Sequence, residues 1–115
     1  GRHPPTALLE DAFCHLDGCD DRLLQWIDES GVAAIAADNF AVEAVPPRRV
    51  EPGRAYERLH ELCLFKLGIH LGEMWNLGEL NAWLREHART RFLLTAPPLN
   101  LPGAVGSPVN PIATV

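Results

Sequence analysis

The chain has 115 residues, of which 47% are hydrophobic and 22% are charged, so it has enough apolar material for the core of one modest domain and is not a disordered polar chain. Fifteen acidic residues against ten basic ones give a formal net charge of -5, which argues against a nucleic-acid or anionic-membrane surface. No apolar stretch approaches the roughly 20 residues of a membrane-spanning helix, and the chain does not begin with the charged-then-apolar order of a signal peptide. We therefore expect a soluble, cytoplasmic protein.

The chain contains three cysteines, Cys14, Cys19 and Cys63, and no Cys-x-x-Cys pair. An odd number without paired spacing favours reduced thiols over a disulfide framework. The stretch FCHLDGC also places His15 near two of these thiols. Because no second ligand pair has zinc-site spacing, a plain turn is favoured over a metal site there.

The first clear helical pattern is DDRLLQWIDESG, from Asp20 to Gly31. Acids occupy its first turn, a glycine ends it, and four apolar residues follow one side: Leu23, Leu24, Trp26 and Ile27. This pattern predicts a surface helix packed on a sheet. The next run, VAAIAA at 32–37, predicts a strand buried on both faces, so the two together indicate an α/β unit.

An irregular connection at 37–54, with three prolines, leaves the end of that strand. Such connections commonly carry substrate-contacting residues, and we predict that Asn39 and Phe40 bind substrate. The alternative for Asn39 is a purely local role in turning the chain.

The stretch YERLHELCLFKLGIHLGE is the strongest candidate for a site. Its spacing predicts a helix over 55–67 that ends at Gly68 and has His60 beside an apolar stripe. The stripe consists of Leu59, Leu62, Cys63, Phe65 and Leu67. In the strand that follows, alternation points Glu73 to the interior with the apolar residues. An inward carboxylate needs a partner, and an imidazole or a metal ion would satisfy it, so His60 and Glu73 belong to one hypothesis. The alternative is that they form a structural pair or face solvent.

Further along the chain, Asn76 with an acid three residues later predicts the start of a helix that continues to about His87. We place His87 in a solvated last turn rather than in a metal site. Strands are predicted at 91–96 and near 109–115. Between them, Ser107 is interpreted as a turn hydroxyl rather than a nucleophile.

Three stretches in this order, SGVAAIAADNFAVEA, LHELCLFKLGIHLGEMWNLGEL and APPLNLPGAVGSPVNPIATV, resemble the C-terminal half of the cyclase-family metal-dependent hydrolases, which include kynurenine formamidase and isatin hydrolase. The resemblance implies an α/β fold with a compact, barrel-like mixed sheet and packed helices. It implies hydrolysis of a small-molecule amide, as by an arylformamidase in tryptophan catabolism to kynurenine, with Zn²⁺ or Mn²⁺ and in a homo-oligomer. On this resemblance, His60 and Glu73 match two metal ligands of the family.

The family's other ligands belong to an HxGTHxDxPxH motif, and none of the five histidines of this chain lies in that pattern. We therefore expect residues 1–115 to be the C-terminal portion of a single hydrolase domain, without the N-terminal metal motif and inactive alone. No catalytic residue is assigned in this sequence. The alternative is a non-catalytic α/β module that binds a small molecule or a partner protein.

Overall fold

The computed structural model describes residues 14–50 and 52–115. Short helices and strands follow one another in these residues, which confirms the α/β class at that level. Their order is α1 (Asp21–Ser30), β1 (Ala34–Ala36), α2 (Arg58–His60), a π-helix (Glu61–Leu67), β2 (His70–Gly72), α3 (Gly78–Glu86), β3 (Leu93–Thr95) and β4 (Ile112–Thr114). The described residues up to Trp75 form one compact unit, and Asn76–Val115 form a second. Within the described ranges, no helix has both the length and the apolar character needed to cross a membrane.

Helix α1 has both of its predicted ends. The Asp20 side chain caps its start by accepting hydrogen bonds from the backbone N–H groups of Arg22 and Leu23, at 2.9 and 3.4 Å. Gly31 ends it in the left-handed conformation, with φ of 72°. The predicted apolar side is too wide, however, because Ile27 is buried whereas the side chain of Trp26 is 60% exposed. Neighbouring residues of a helix point about 100° apart, so a helix that buries Ile27 turns Trp26 toward solvent.

The helix predicted over 55–67 begins later, at Arg58, and continues as a π-helix from Glu61 to Leu67. Its predicted end at Gly68 is confirmed, with φ of 69°. The predicted α-helical spacing is wrong, because the wider turn of a π-helix changes which residues share a face. Cys63 is buried, but Phe65, which we placed on the same apolar stripe, is 83% exposed.

Strands β1 and β2 form a parallel pair with Ile35 opposite Leu71. The pairing continues past the strand ends, where the Ala37 N–H donates to the Gly72 carbonyl oxygen at 2.9 Å. The prediction that the first strand is buried on both faces is wrong, because its two outer alanines are exposed and only its central isoleucine is partly buried. In the described part of the chain this sheet has two strands, and one face of it meets the core.

The core of the first unit lies where α1, the helical segment 58–67, β2 and the connection near residue 42 meet. Hydrogen bonds from Leu16 N–H to the Val42 oxygen and from Ala44 N–H to the Leu16 oxygen, at 2.9 and 3.0 Å, hold that connection in place. Residue 43 is thereby fixed between two paired residues, next to the core. The core residues are Ile27, Val42, Leu59, Cys63 and Ile69.

In the second unit, α3 buries none of its residues. The predicted cap is wrong, because Leu77 occupies the N-cap position and no side chain caps the helix; Asn76 lies one residue too early. The predicted end is confirmed at His87, whose ring stacks on Trp83 with a centroid separation of 4.0 Å.

The strands predicted at 91–96 and 109–115 are confirmed in shorter form as β3 and β4. They pair antiparallel, with Leu94 opposite Ala113. Ser107 acts as the predicted turn hydroxyl, since its Oγ accepts a hydrogen bond from the Leu99 N–H at 2.8 Å and donates to the Pro108 oxygen at 2.9 Å.

Candidate functional site

His60 lies at the junction of α2 and the π-helix, and its ring reaches two carboxylates. Its Nδ1 lies 2.8 Å from Oε2 of Glu43, and its Nε2 lies 3.5 Å from Oε1 of Glu73. The two residues that sequence reasoning placed in one site are therefore neighbours. Both side chains are partly exposed, so a ligand from solvent can reach them.

Glu73 follows β2 directly, and the alternation of the strand points its side chain toward His60. Its Oε1 accepts a hydrogen bond from the Val42 N–H at 3.0 Å. That bond ties the carboxylate to the connection that lines the core. The position of Glu73 is therefore set by two parts of the chain, β2 and the segment around Val42.

Glu43 is the residue of this cluster that sequence reasoning missed, and it is only 1% exposed. Its Oε1 accepts from the Leu59 N–H at 3.1 Å, and its Oε2 accepts from the His60 N–H at 3.0 Å. Glu57, at the N-cap position of α2, makes no capping bond with its side chain. Glu43 therefore caps α2 from a distant part of the chain.

Two sequence signals pointed toward Glu43. It is a single acid within the apolar run FAVEAV. In addition, the predicted helix begins without a serine, threonine, aspartate or asparagine cap, so its first N–H groups need an acceptor from elsewhere.

Of the two predicted substrate-binding residues, Asn39 contacts the segment after β2 through its backbone. The Asn39 carbonyl oxygen accepts a hydrogen bond from the Met74 N–H at 2.8 Å, next to Glu73. The Asn39 side-chain amide donates to the Cys14 oxygen. The Phe40 ring is 59% exposed. Their contact with substrate stays a prediction.

The three cysteines are free. In the FCHLDGC stretch, His15 Nδ1 lies 3.1 Å from the Ala41 oxygen, and Cys19 Sγ lies 3.5 Å from the Arg49 oxygen. Cys63 lies in the core, and burial, followed by the nearby charge of Glu43, raises the pKa of its thiol. The buried thiol is therefore held in its protonated form.

The chemistry and spacing of His60 and Glu73 suit two ligands of one divalent metal. Imidazole nitrogen and carboxylate oxygen are ligands for zinc and manganese. Two ligands about 2.1 Å from a zinc ion at a tetrahedral angle lie about 3.4 Å apart, and Nε2 and Oε1 are separated by 3.5 Å. Within 14–50 and 52–115, no group of three or more His, Cys, Asp or Glu side chains could hold a metal, so a complete site requires additional ligands.

No family model, curated protein or solved structure matches this chain.

Proposed function

We propose that the chain contributes His60 and Glu73 as metal ligands to a metal-dependent hydrolase of amide bonds. The observation that carries the proposal is the 3.5 Å separation of His60 Nε2 and Glu73 Oε1, two donor atoms of suitable type in a partly exposed position. The resemblance to cyclase-family hydrolases supports the finer proposal of an arylformamidase, acting on N-formylkynurenine in tryptophan catabolism or on a related cyclic amide, in a barrel-like mixed sheet.

The chain's own residues hold the two ligands in position. The Val42 N–H orients the Glu73 carboxylate beside Nε2. The backbone bond between Met74 and Asn39 places the proposed substrate-binding segment at the same strand end. When bound there, zinc or manganese would supply a Lewis acid that polarises an amide carbonyl and makes a water molecule more acidic.

The test measures the bound metal after incubation with ZnCl₂ or MnCl₂ and removal of free metal. It is made on residues 1–115 and on any longer protein that contains them. His60→Ala and Glu73→Gln are expected to lower bound metal severalfold, because the first removes the ligand nitrogen and the second replaces the anionic carboxylate by a neutral amide. The control is His70→Ala, which removes an exposed histidine of β2. Hydrolysis of an N-formyl aromatic amide is measured in parallel. Full metal occupancy in both ligand variants would exclude the two residues from a metal site.

The alternative is a non-catalytic α/β module that binds a small molecule or a protein. The observation that favours it is that the cluster is already satisfied internally, with His60 bonded to Glu43 and Glu73 bonded to the Val42 N–H. In that case His60→Ala and Glu73→Gln leave metal content unchanged and lower the free energy of unfolding by about 1–3 kcal/mol. Metal content separates the two functions, and melting temperatures show whether each variant is folded.

We also propose that the protein is a homo-oligomer. Large apolar side chains are exposed in both units, and exposed apolar surface favours association. Examples are Met74, Leu93 and Ile112. Sedimentation velocity is expected to show a dimer or larger species at micromolar concentration, and a monomer there would contradict the proposal.

A further inference from the structure

We infer that Glu43 is a positioning residue that fixes the tautomer of His60, holding the ring proton on Nδ1 and leaving Nε2 without a proton on the side of Glu73. The inference about the tautomer rests on the contacts of Glu43 and does not require a metal. Its consequence for metal binding rests on the proposed function.

The chemistry of the two side chains sets the direction of the hydrogen bond between them. An ionised carboxylate has no proton and can only accept hydrogen bonds. The 2.8 Å separation of His60 Nδ1 and Glu43 Oε2 is that of a hydrogen bond. When the imidazole is neutral, its one ring proton therefore lies on Nδ1, and Nε2 presents a lone pair.

The carboxylate of Glu43 has a fixed position. It is buried, and each of its oxygens accepts a backbone N–H from the start of α2, Oε1 from Leu59 and Oε2 from His60. Oε2 therefore receives both the backbone and the ring of His60. The ring is held relative to its own helix, and Nε2 is directed toward Glu73.

The contact with Glu43 also suits His60 to bind a metal through Nε2. Ligating histidines generally donate their second ring N–H to a carboxylate or carbonyl, which orients the ring and makes the ligating nitrogen more basic. Glu43 has that relationship to His60. The Nε2–Glu73 pair is thus a competent pair of ligands because a third, buried residue keeps the proton on the opposite side of the ring.

The experiment is long-range ¹H–¹⁵N NMR of the metal-free protein, at an alkaline pH where the ring ¹⁵N shifts show a neutral imidazole. The wild type is expected to show His60 with the proton on Nδ1. In Glu43→Gln, which replaces one carboxylate oxygen by an NH₂ donor and removes the negative charge facing Nδ1–H, the Nε2–H form is expected to rise at least severalfold. Glu57→Gln is the matched control, because it removes a carboxylate at the same helix start that makes no capping bond; it should leave the tautomer unchanged.

Calorimetric titration with ZnCl₂ provides the second readout. Glu43→Gln is expected to bind Zn²⁺ about 10- to 100-fold more weakly than wild type, whereas Glu57→Gln should bind it equally well. If Glu43→Gln does not fold, Glu43→Asp takes its place, since it keeps the charge but withdraws the oxygens by one methylene and should show an intermediate tautomer shift.

The outcomes are distinct for the two proposals. A wild-type spectrum dominated by Nε2–H overturns the positioning role of Glu43, whatever the variants do. An unchanged tautomer in folded Glu43→Gln overturns it as well. A wild type that has the Nδ1–H form, and whose metal content His60→Ala and Glu73→Gln leave unchanged, supports the positioning role and contradicts the proposed metal ligands.

Discussion

Gly18 lies directly against the carboxylate of Glu43: a Cβ added at position 18 would be 1.6 Å from Oε1 and 2.6 Å from Cδ. The carboxylate is therefore confined on two sides, by the Gly18 backbone and by the start of α2. A residue with any side chain at position 18 would have to displace Glu43 or the backbone around it.

We therefore expect Gly18→Ala to lower the free energy of unfolding by about 1–3 kcal/mol, the usual cost of forcing extra volume into a packed site. Urea denaturation monitored by tryptophan fluorescence measures the change. Gly106→Ala is the matched control, because an added Cβ there meets no atom within 4 Å. Equal stability of the two variants would show that Gly18 and Glu43 are not packed as described.

The second prediction concerns the core. Leu59 is fully buried, so Leu59→Ala is expected to lower the free energy of unfolding by about 2–5 kcal/mol through lost burial and the cavity left behind. Phe65→Ala, in the same helical segment, removes an exposed ring and should change stability by less than about 0.5 kcal/mol. Thermal melts of the two variants make the comparison. A larger loss for Phe65→Ala would favour the α-helical spacing over the π-helix.

The sequence was informative where one local signal decides the structure. Glycine after an apolar pattern marked the ends at Gly31 and Gly68 correctly, because few other residues adopt φ near 70° readily. Alternation along 69–73 pointed Glu73 to the side of the buried Ile69, and the structure places it beside His60.

Features that depend on distant contacts were not accessible from the pattern. Glu43 lies in a connection with no period, and its bonds to the start of α2 exist only once the fold has formed. A run of seven residues carries too few positions to separate a π-helix from an α-helix, so Phe65 was placed on the wrong face. The outer face of β1 was misjudged because alanine is compatible with both burial and exposure.

The third prediction concerns acid stability. The Arg58 side chain donates to Asp21 Oδ1, and this hydrogen bond, followed by the charge of Arg58, lowers the Asp21 pKa from its ordinary value of 3.8. A carboxylate with a lowered folded-state pKa adds stability above its unfolded pKa, and that stability is lost as the pH falls through the folded pKa. Wild type should therefore lose more stability than Asp21→Asn on acidification below about pH 4.

Urea midpoints at low ionic strength, where an exposed ion pair is least screened, test this difference. Parallel pH profiles for wild type and Asp21→Asn would contradict the prediction.

The fourth prediction concerns thiol reactivity. Because burial and Glu43 raise the Cys63 pKa, little thiolate forms there at neutral pH, and the thiolate is the reactive species. Cys14 is exposed. Mass spectrometry after brief iodoacetamide treatment is expected to find Cys14 modified in the native protein and Cys63 modified only after denaturation. Equal native rates for the two thiols would show that Cys63 is not held in the core.

Helix α1 and the helical segment 58–67 each end at a glycine in the left-handed conformation, Gly31 and Gly68. Each then leads within a few residues into one strand of the parallel pair. The first unit thus has the order helix–glycine–strand twice, and the two strands run parallel. The residues just after β1 therefore lie beside those just after β2, as the bond from Trp75 N–H to the Ala37 oxygen shows at 3.0 Å. One residue inserted after Gly68 would shift β2 by about 3.3 Å relative to β1 and turn Glu73 to the opposite face. The spacing between this glycine and Glu73 is therefore as much a determinant of the site as the identity of its residues.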